Sequence, residues 1–161
     1  MTVREYNIGV DKYSDGVYRF ILKNIRDEDK AKDIVQDTYE KLWLNVDNVN
    51  YLKIKSYIFT TAYHTMIDLI RKEKKQIRFE NVQEENQSHY EQYSDIKEIL
   101  NTAIKKLPDI QRSVILLRDY EGYSYNEIAE ITNLNESQVK VYIYRARIYL
   151  KNYIGSLETV I

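Results

Sequence analysis

The 161-residue chain has no cysteine, one proline, four glycines and two histidines. Without cysteine there are no disulfides, no thiolate nucleophile and no cysteine-bound metal, and the chain reads as one of a reducing compartment, expected to be the cytoplasm. No apolar run has the length of a membrane span or a secretory leader. So little proline and glycine leaves few places to break a helix, and the expected class is all-α. His64 and His89 make no metal-ligand pair, and no glycine-rich phosphate loop occurs. Neither an enzyme nor a bound metal or cofactor is expected. Net charge is only −1, so a nucleic-acid surface can arise only by segregating charge along the chain.

That segregation is visible. Residues 79–95, FENVQEENQSHYEQYSD, carry Glu80, Glu84, Glu85, Glu91 and Asp95 with no Lys or Arg, and their apolar residues keep no helical period. They read as a flexible acidic linker over residues 80–95, between an N-terminal unit (1–79) and a C-terminal unit (96–161). Conversely, no acidic residue lies between Ser137 and Leu157.

The C-terminal unit has legible punctuation. Pro108 stops one run, and Asp109 is placed to cap the next, which carries Ile110, Val114 and Leu117 at helical spacing. Gly122 breaks the chain, Ser124 with Glu127 forms a capping box for a short helix through Ile128, Ala129 and Ile131, and Asn133, Leu134 and Asn135 supply a turn. Asn135 with Gln138 is a second capping pair, opening a last helix that buries Val139, Ile143, Ala146 and Leu150 and gathers Lys140, Tyr144, Arg147 and Lys151 on another face. This is a helix-turn-helix, whose second helix enters a major groove by its first turns. Glu136, Ser137, Gln138, Lys140 and Val141 are therefore candidate base readers: Gln can pair with adenine, Lys can reach guanine acceptors, and Val can pack on a thymine methyl. Tyr144 lies on the same side of the helix, and Arg145, Arg147 and Lys151 are cast as phosphate clamps.

The N-terminal unit starts with an apolar ladder of Tyr13, Val17, Ile21 and Ile25, joined by Phe20. Asp27 or Asp29 can cap a second helix over about residues 30–46, with Ala31, Ile34, Val35, Tyr39, Leu42, Trp43 and Val46 apolar and Asp33, Gln36, Asp37, Glu40 and Lys41 on the polar face. After the polar loop 45–50, a third helix over about residues 54–75 buries Ile58, Ala62, Met66, Leu69 and Ile70. Its opposite face holds Tyr57, Thr61, His64, Asp68, Arg71, Lys72 and Lys75, with Lys74 and Arg78 extending the basic end. Rings that stack on unpaired bases beside cations that hold phosphates suit single-stranded DNA, although basic residues also suit any helix C-terminus. Of the sixteen tyrosines, Tyr57 and Tyr144 are expected to face outward.

KAKDIVQDTYEKLW, IKSYIFTTAYHTMIDLIRKEKK, LPDIQRSVILLRDYEGYSYNEIAE and VKVYIYRAR, in that order, resemble the extracytoplasmic-function (group IV) sigma factors of bacterial RNA polymerase. The resemblance implies two small helical domains, sigma region 2 and sigma region 4. It implies that Asp33, Gln36, Asp37 and Glu40 bind the clamp of core polymerase. It assigns minus-ten DNA to Asn48, Asn50, Tyr51, Tyr57, Thr61, His64, Asp68, Arg71, Lys72 and Lys75. The minus-thirty-five duplex falls to the last helix, with the polymerase flap beside it, while the acidic linker threads a basic channel of the enzyme. An anti-sigma factor is a further implied partner.

The sequence departs from the family's usual pattern at Tyr57 (where Trp is usual), His64 (Asn), Asn135 (Ser) and Gln138 (Thr), so promoter sequence does not carry over, and an additional recruiting factor is one reading of the changed readers. A stand-alone helix-turn-helix repressor or activator would share the C-terminal half but leaves the N-terminal polar helix and loop without a role.

Overall fold

The computed structural model describes residues 1–80 and 96–158. Among them the chain is helical with no strand. Helix α1 (Val3–Ile25) opens on a capping box between Thr2 and Glu5 and closes where Arg26 turns left-handed at φ 56°. Asp27 caps α2 (Glu28–Leu44) by accepting from the Lys30 amide. This helix begins and ends two residues earlier than its apolar period implies. Asn50 accepts from the Leu52 amide to open a 3-10 turn (Tyr51–Lys53) that leads directly into α3 (Ile54–Glu80). In the C-terminal half come α4 (Ile96–Lys106), α5 (Asp109–Ile115), a π turn (Leu116–Tyr120), α6 (Tyr125–Thr132) and α7 (Glu136–Glu158).

Helices α1, α2 and α3 form one bundle and α4 to α7 the other. The expected stripes are the buried ones: Val17, Phe20 and Ile21 on α1, Ile58, Ala62 and Met66 on α3, and Val139, Ile143 and Ala146 on α7 are inaccessible or nearly so. Tyr13, Ile25, Leu69, Ile70 and Leu150 are only partly covered. Each fully buried Phe, Ile or Met side chain contributes roughly 1.5–3 kcal/mol relative to exposure.

Two expectations change. Asp109 does not cap α5: Pro108 occupies that position without a side-chain bond. The Asp109 carboxylate instead takes Lys74 at 2.8 Å and Arg112 at 2.5 Å, because two cations offer more than one amide. The second change concerns the two units, expected to ride on a tether: α6 packs on α3, and α4, α5 and the π turn pack on α1. The acidic segment assigned to linking them falls, from residue 81 to 95, outside the described residues, as does His89.

Candidate nucleic-acid interface

The helix-turn-helix is built as its punctuation implies. Ser124 Oγ accepts from the Glu127 amide, and Glu127 Oε1 from the Ser124 amide, both at 3.1 Å. Gly122 takes φ 76° and Asn133 φ 59°, a left-handed geometry that Gly and Asn adopt at least cost. The second box is also present: Asn135 Oδ1 accepts from the Gln138 amide at 2.8 Å, and Gln138 Oε1 from the Asn135 amide at 3.0 Å. One consequence bears on base reading. The Gln138 carbonyl oxygen is engaged in the cap, so a two-point contact with adenine requires it to be shared or released.

Glu136, Ser137, Lys140, Val141, Tyr144, Arg145 and Lys151 are exposed on α7. Tyr144, at 66% exposed, faces outward. A shallow cavity of about 240 Å³ beside the helix is lined by Asn135, Ser137, Gln138, Val141, Tyr142 and Arg145. Arg147 is exposed but not idle, since it donates to Asp119 at 2.7 Å. Arg118 sits 4.6 Å and Lys140 5.6 Å from the centre of the Tyr125 ring, a cation–π arrangement that holds both charges beside the start of α6.

On the N-terminal bundle, Val49 is buried and pins the loop 45–50. A cavity of about 470 Å³ opens there, lined by Asn45, Asn48, Val49, Asn50, Lys53 and Tyr57. Tyr57 is half-buried rather than fully outward, and its hydroxyl accepts from Asn45 Nδ2 at 3.3 Å. The cavity joins side-chain amides, a ring and a cation, the equipment for holding an unstacked base. Asn48 and Asn50 belong to it; Asn45 and Val49 come from the loop that the resemblance gives to the minus-ten element without being singled out there, and Lys53 is a member the sequence reading missed. Tyr51 and Thr61 are half-buried, and His64, Asp68, Arg71, Lys72 and Lys75 continue along α3 as an exposed face. Leu52, 89% exposed beside this loop, is an apolar side chain facing water. On α2, Asp33, Gln36 and Glu40 are exposed, whereas Asp37 pairs with Lys41 at 3.2 Å.

Comparison with known proteins agrees with this layout. The model described as Sigma-70 region 2 matches residues 10–76, and that described as Sigma-70, region 4 matches residues 97–150. The ECF RNA polymerase sigma factor SigM of Bacillus subtilis (strain 168) is 31% identical over 86% of this chain and 88% of its own length. The chain belongs to the extracytoplasmic-function RNA polymerase sigma factors. SigV of the same organism is 33% identical to this sigma factor, over 85% of this chain and 83% of its own. The structure of the sigma factor RpoE in complex with the anti-sigma factor NepR from Bartonella quintana shares the fold: TM-score 0.79, 24% identity, covering 95% of this sigma factor and 98% of that chain. This sigma factor is thus a DNA-binding protein of transcription initiation. None of its described helices is long and apolar enough to cross a membrane.

Proposed function

We propose that this group IV sigma factor directs core RNA polymerase by reading a minus-thirty-five duplex with α7 and capturing an unpaired minus-ten strand at the α3 face and the 45–50 cavity. The observation that carries the reading is the pairing of two differently equipped polar surfaces. One is a cavity with amides and a ring for a single base, the other a capped helix end with exposed Lys140, Val141 and Arg145 for an intact groove. Residues 1–79 act as region 2, 80–95 as the linker and 96–161 as region 4. Asp33, Gln36, Asp37 and Glu40 meet the polymerase clamp.

The chain does no covalent chemistry and works in the cytoplasm. Phosphate neutralisation supplies duplex affinity, and each captured base contributes about 1–3 kcal/mol of stacking, offsetting the opening of base pairs. An anti-sigma factor is the fitting regulator, as NepR is found bound to RpoE.

The test separates the two surfaces. Tyr57→Ala should reduce promoter opening, read by permanganate reactivity of the holoenzyme complex, at least tenfold more than it reduces duplex binding by region 4. Lys140→Ala should weaken duplex binding first. Equal losses from both substitutions in both assays would defeat the division of labour.

A further inference from the structure

A third cavity, of about 240 Å³, opens where α1 and the start of α3 meet the chain just after the π turn. It belongs to neither of the surfaces given to DNA above, nor to the face of α2 given to polymerase. Tyr13, Phe59 and Tyr123 form aromatic walls, and Lys12, Arg19 and Lys55 stand around them. Aromatic walls with a few convergent polar groups are the make-up of a small-molecule site. Gly16 keeps the α1 side open, since a Cβ there would stand 3.4 Å from Glu121 Oε2 and 3.6 Å from Phe59 Cζ.

The charges of the lining do not balance. Arg19 donates through Nε and Nη2 to the two oxygens of Glu121, both at 2.9 Å, and the Glu121 side chain is left only 7% exposed. That acid is therefore neutralised, and the other one, Asp15, is exposed. Lys12 and Lys55 have rings beside them instead of carboxylates: Lys12 lies 5.5 Å from the centre of the Tyr13 ring and Lys55 4.2 Å from that of Tyr123. The positive excess continues along α1, where Arg19, Lys23 and Arg26 recur at helical spacing. Lys23 is held below the ordinary lysine value, first by burial and then by the like charges of Lys97, Arg19 and Arg26. A field that disfavours a protonated lysine favours an anion.

One polar atom of the wall is also unmatched. Tyr123 is 2% exposed, and its buried hydroxyl has no hydrogen-bond partner among the described residues. Leaving such a group unpaired is costly, and a ligand able to reach it would remove that cost.

We propose that this cavity binds a small phosphorylated aromatic molecule, its planar body against the aromatic walls and its phosphoryl group on Lys12 and Lys55. A phosphoryl group carries a charge of about −1.5 to −2 at pH 7, which two lysines answer and one does not. The concavity selects a small molecule over a nucleic-acid strand, because it admits about one ring with its head group and Asp15 would repel a continuing phosphate backbone. Nothing in the site depends on the reading of the two promoter elements.

Calorimetric titration of the full chain with phenyl phosphate, inorganic phosphate and phenol tests this. Phenyl phosphate should bind once per chain, about tenfold or more tighter than either fragment, and should raise the Tm, since it binds only the folded chain. Lys12→Met/Lys55→Met should weaken binding about tenfold or more, while Lys32→Met, at an exposed lysine of α2, should leave it unchanged. Asp15→Asn should tighten binding about threefold, a gain that misfolding does not mimic; should the double variant fail to fold, this gain decides alone. No saturable binding of phenyl phosphate up to about 10 mM, equal affinity for inorganic phosphate, or a loss in Lys32→Met as large as in the double variant would overturn the site. So would an affinity left unchanged by Asp15→Asn.

Discussion

Replacing Asp119 by Asn should strengthen DNA binding and make it more salt-sensitive. In the native protein Asp119 accepts from Arg147 Nη2 at 2.7 Å and Nε at 3.4 Å, so one cation of α7 is already answered within the protein. The side chains are 48% and 42% exposed, and an ion pair so placed contributes about 0.2–1 kcal/mol to stability; Asp119→Asn should therefore leave folding nearly intact. The larger effect is on DNA. A cation newly available to phosphate steepens the slope of log affinity against log salt by about 0.9. Between 50 and 200 mM salt the variant should lose about 3.5-fold more affinity than the native protein, and should bind correspondingly tighter at the low end. Phosphate contacts carry no base information, so promoter and random duplexes should gain alike. Fluorescence anisotropy titrations at four salt concentrations suffice. Parallel salt plots for native and Asp119→Asn proteins would refute the reasoning, as would persistence of the gain in Asp119→Asn/Arg147→Gln.

Ser124→Ala removes one half of the capping box at the start of α6 and should cost about 1 kcal/mol. That is about 2–4 °C in Tm for a chain of this size, read by circular dichroism. Asp109 gives a pH signature. Burial pushes its carboxyl up, but the hydrogen bonds from Lys74 and Arg112 more than offset this and hold it below the ordinary Asp value. A depressed acid stabilises the fold above the unfolded-state value of about 3.9 and loses that contribution as pH falls through the folded one. Native protein should thus lose stability below about pH 4 more steeply than Asp109→Asn, which a set of urea titrations across pH 2–5 will show.

What the sequence made legible was local. Ser124 with Glu127, Asn135 with Gln138, Gly122 and Asn133 act on residues two to four positions away, so their types alone specify the turn and the helix starts. The buried stripes were legible for a similar reason: a helix repeats its face every three to four residues. What escaped notice was settled by partners far along the chain. The Asp109 carboxylate is drawn to a lysine 35 residues earlier while Pro108 holds the cap position, and the Asn24 oxygen that Arg112 and Ser113 share lies 88 and 89 positions away. The docking of the two units follows from the same kind of pairing. Candidate DNA readers were found by residue type and face, but Asn45, Val49 and Lys53 join the cavity through the bend of the 45–50 loop, which no periodicity announces.

The π turn at Leu116–Tyr120 sets the phase of everything that follows it. Its widened ring closes where the Glu121 amide reaches back to the Leu116 carbonyl at 3.1 Å, one residue more than an α-helix allows. Inserting a further residue before Asp119 would turn the positions after it by about 100°. Asp119 and Glu121 would swing off Arg147 and Arg19 together, so one misplaced residue would unfasten α7 from its scaffold and the two halves of the molecule from each other.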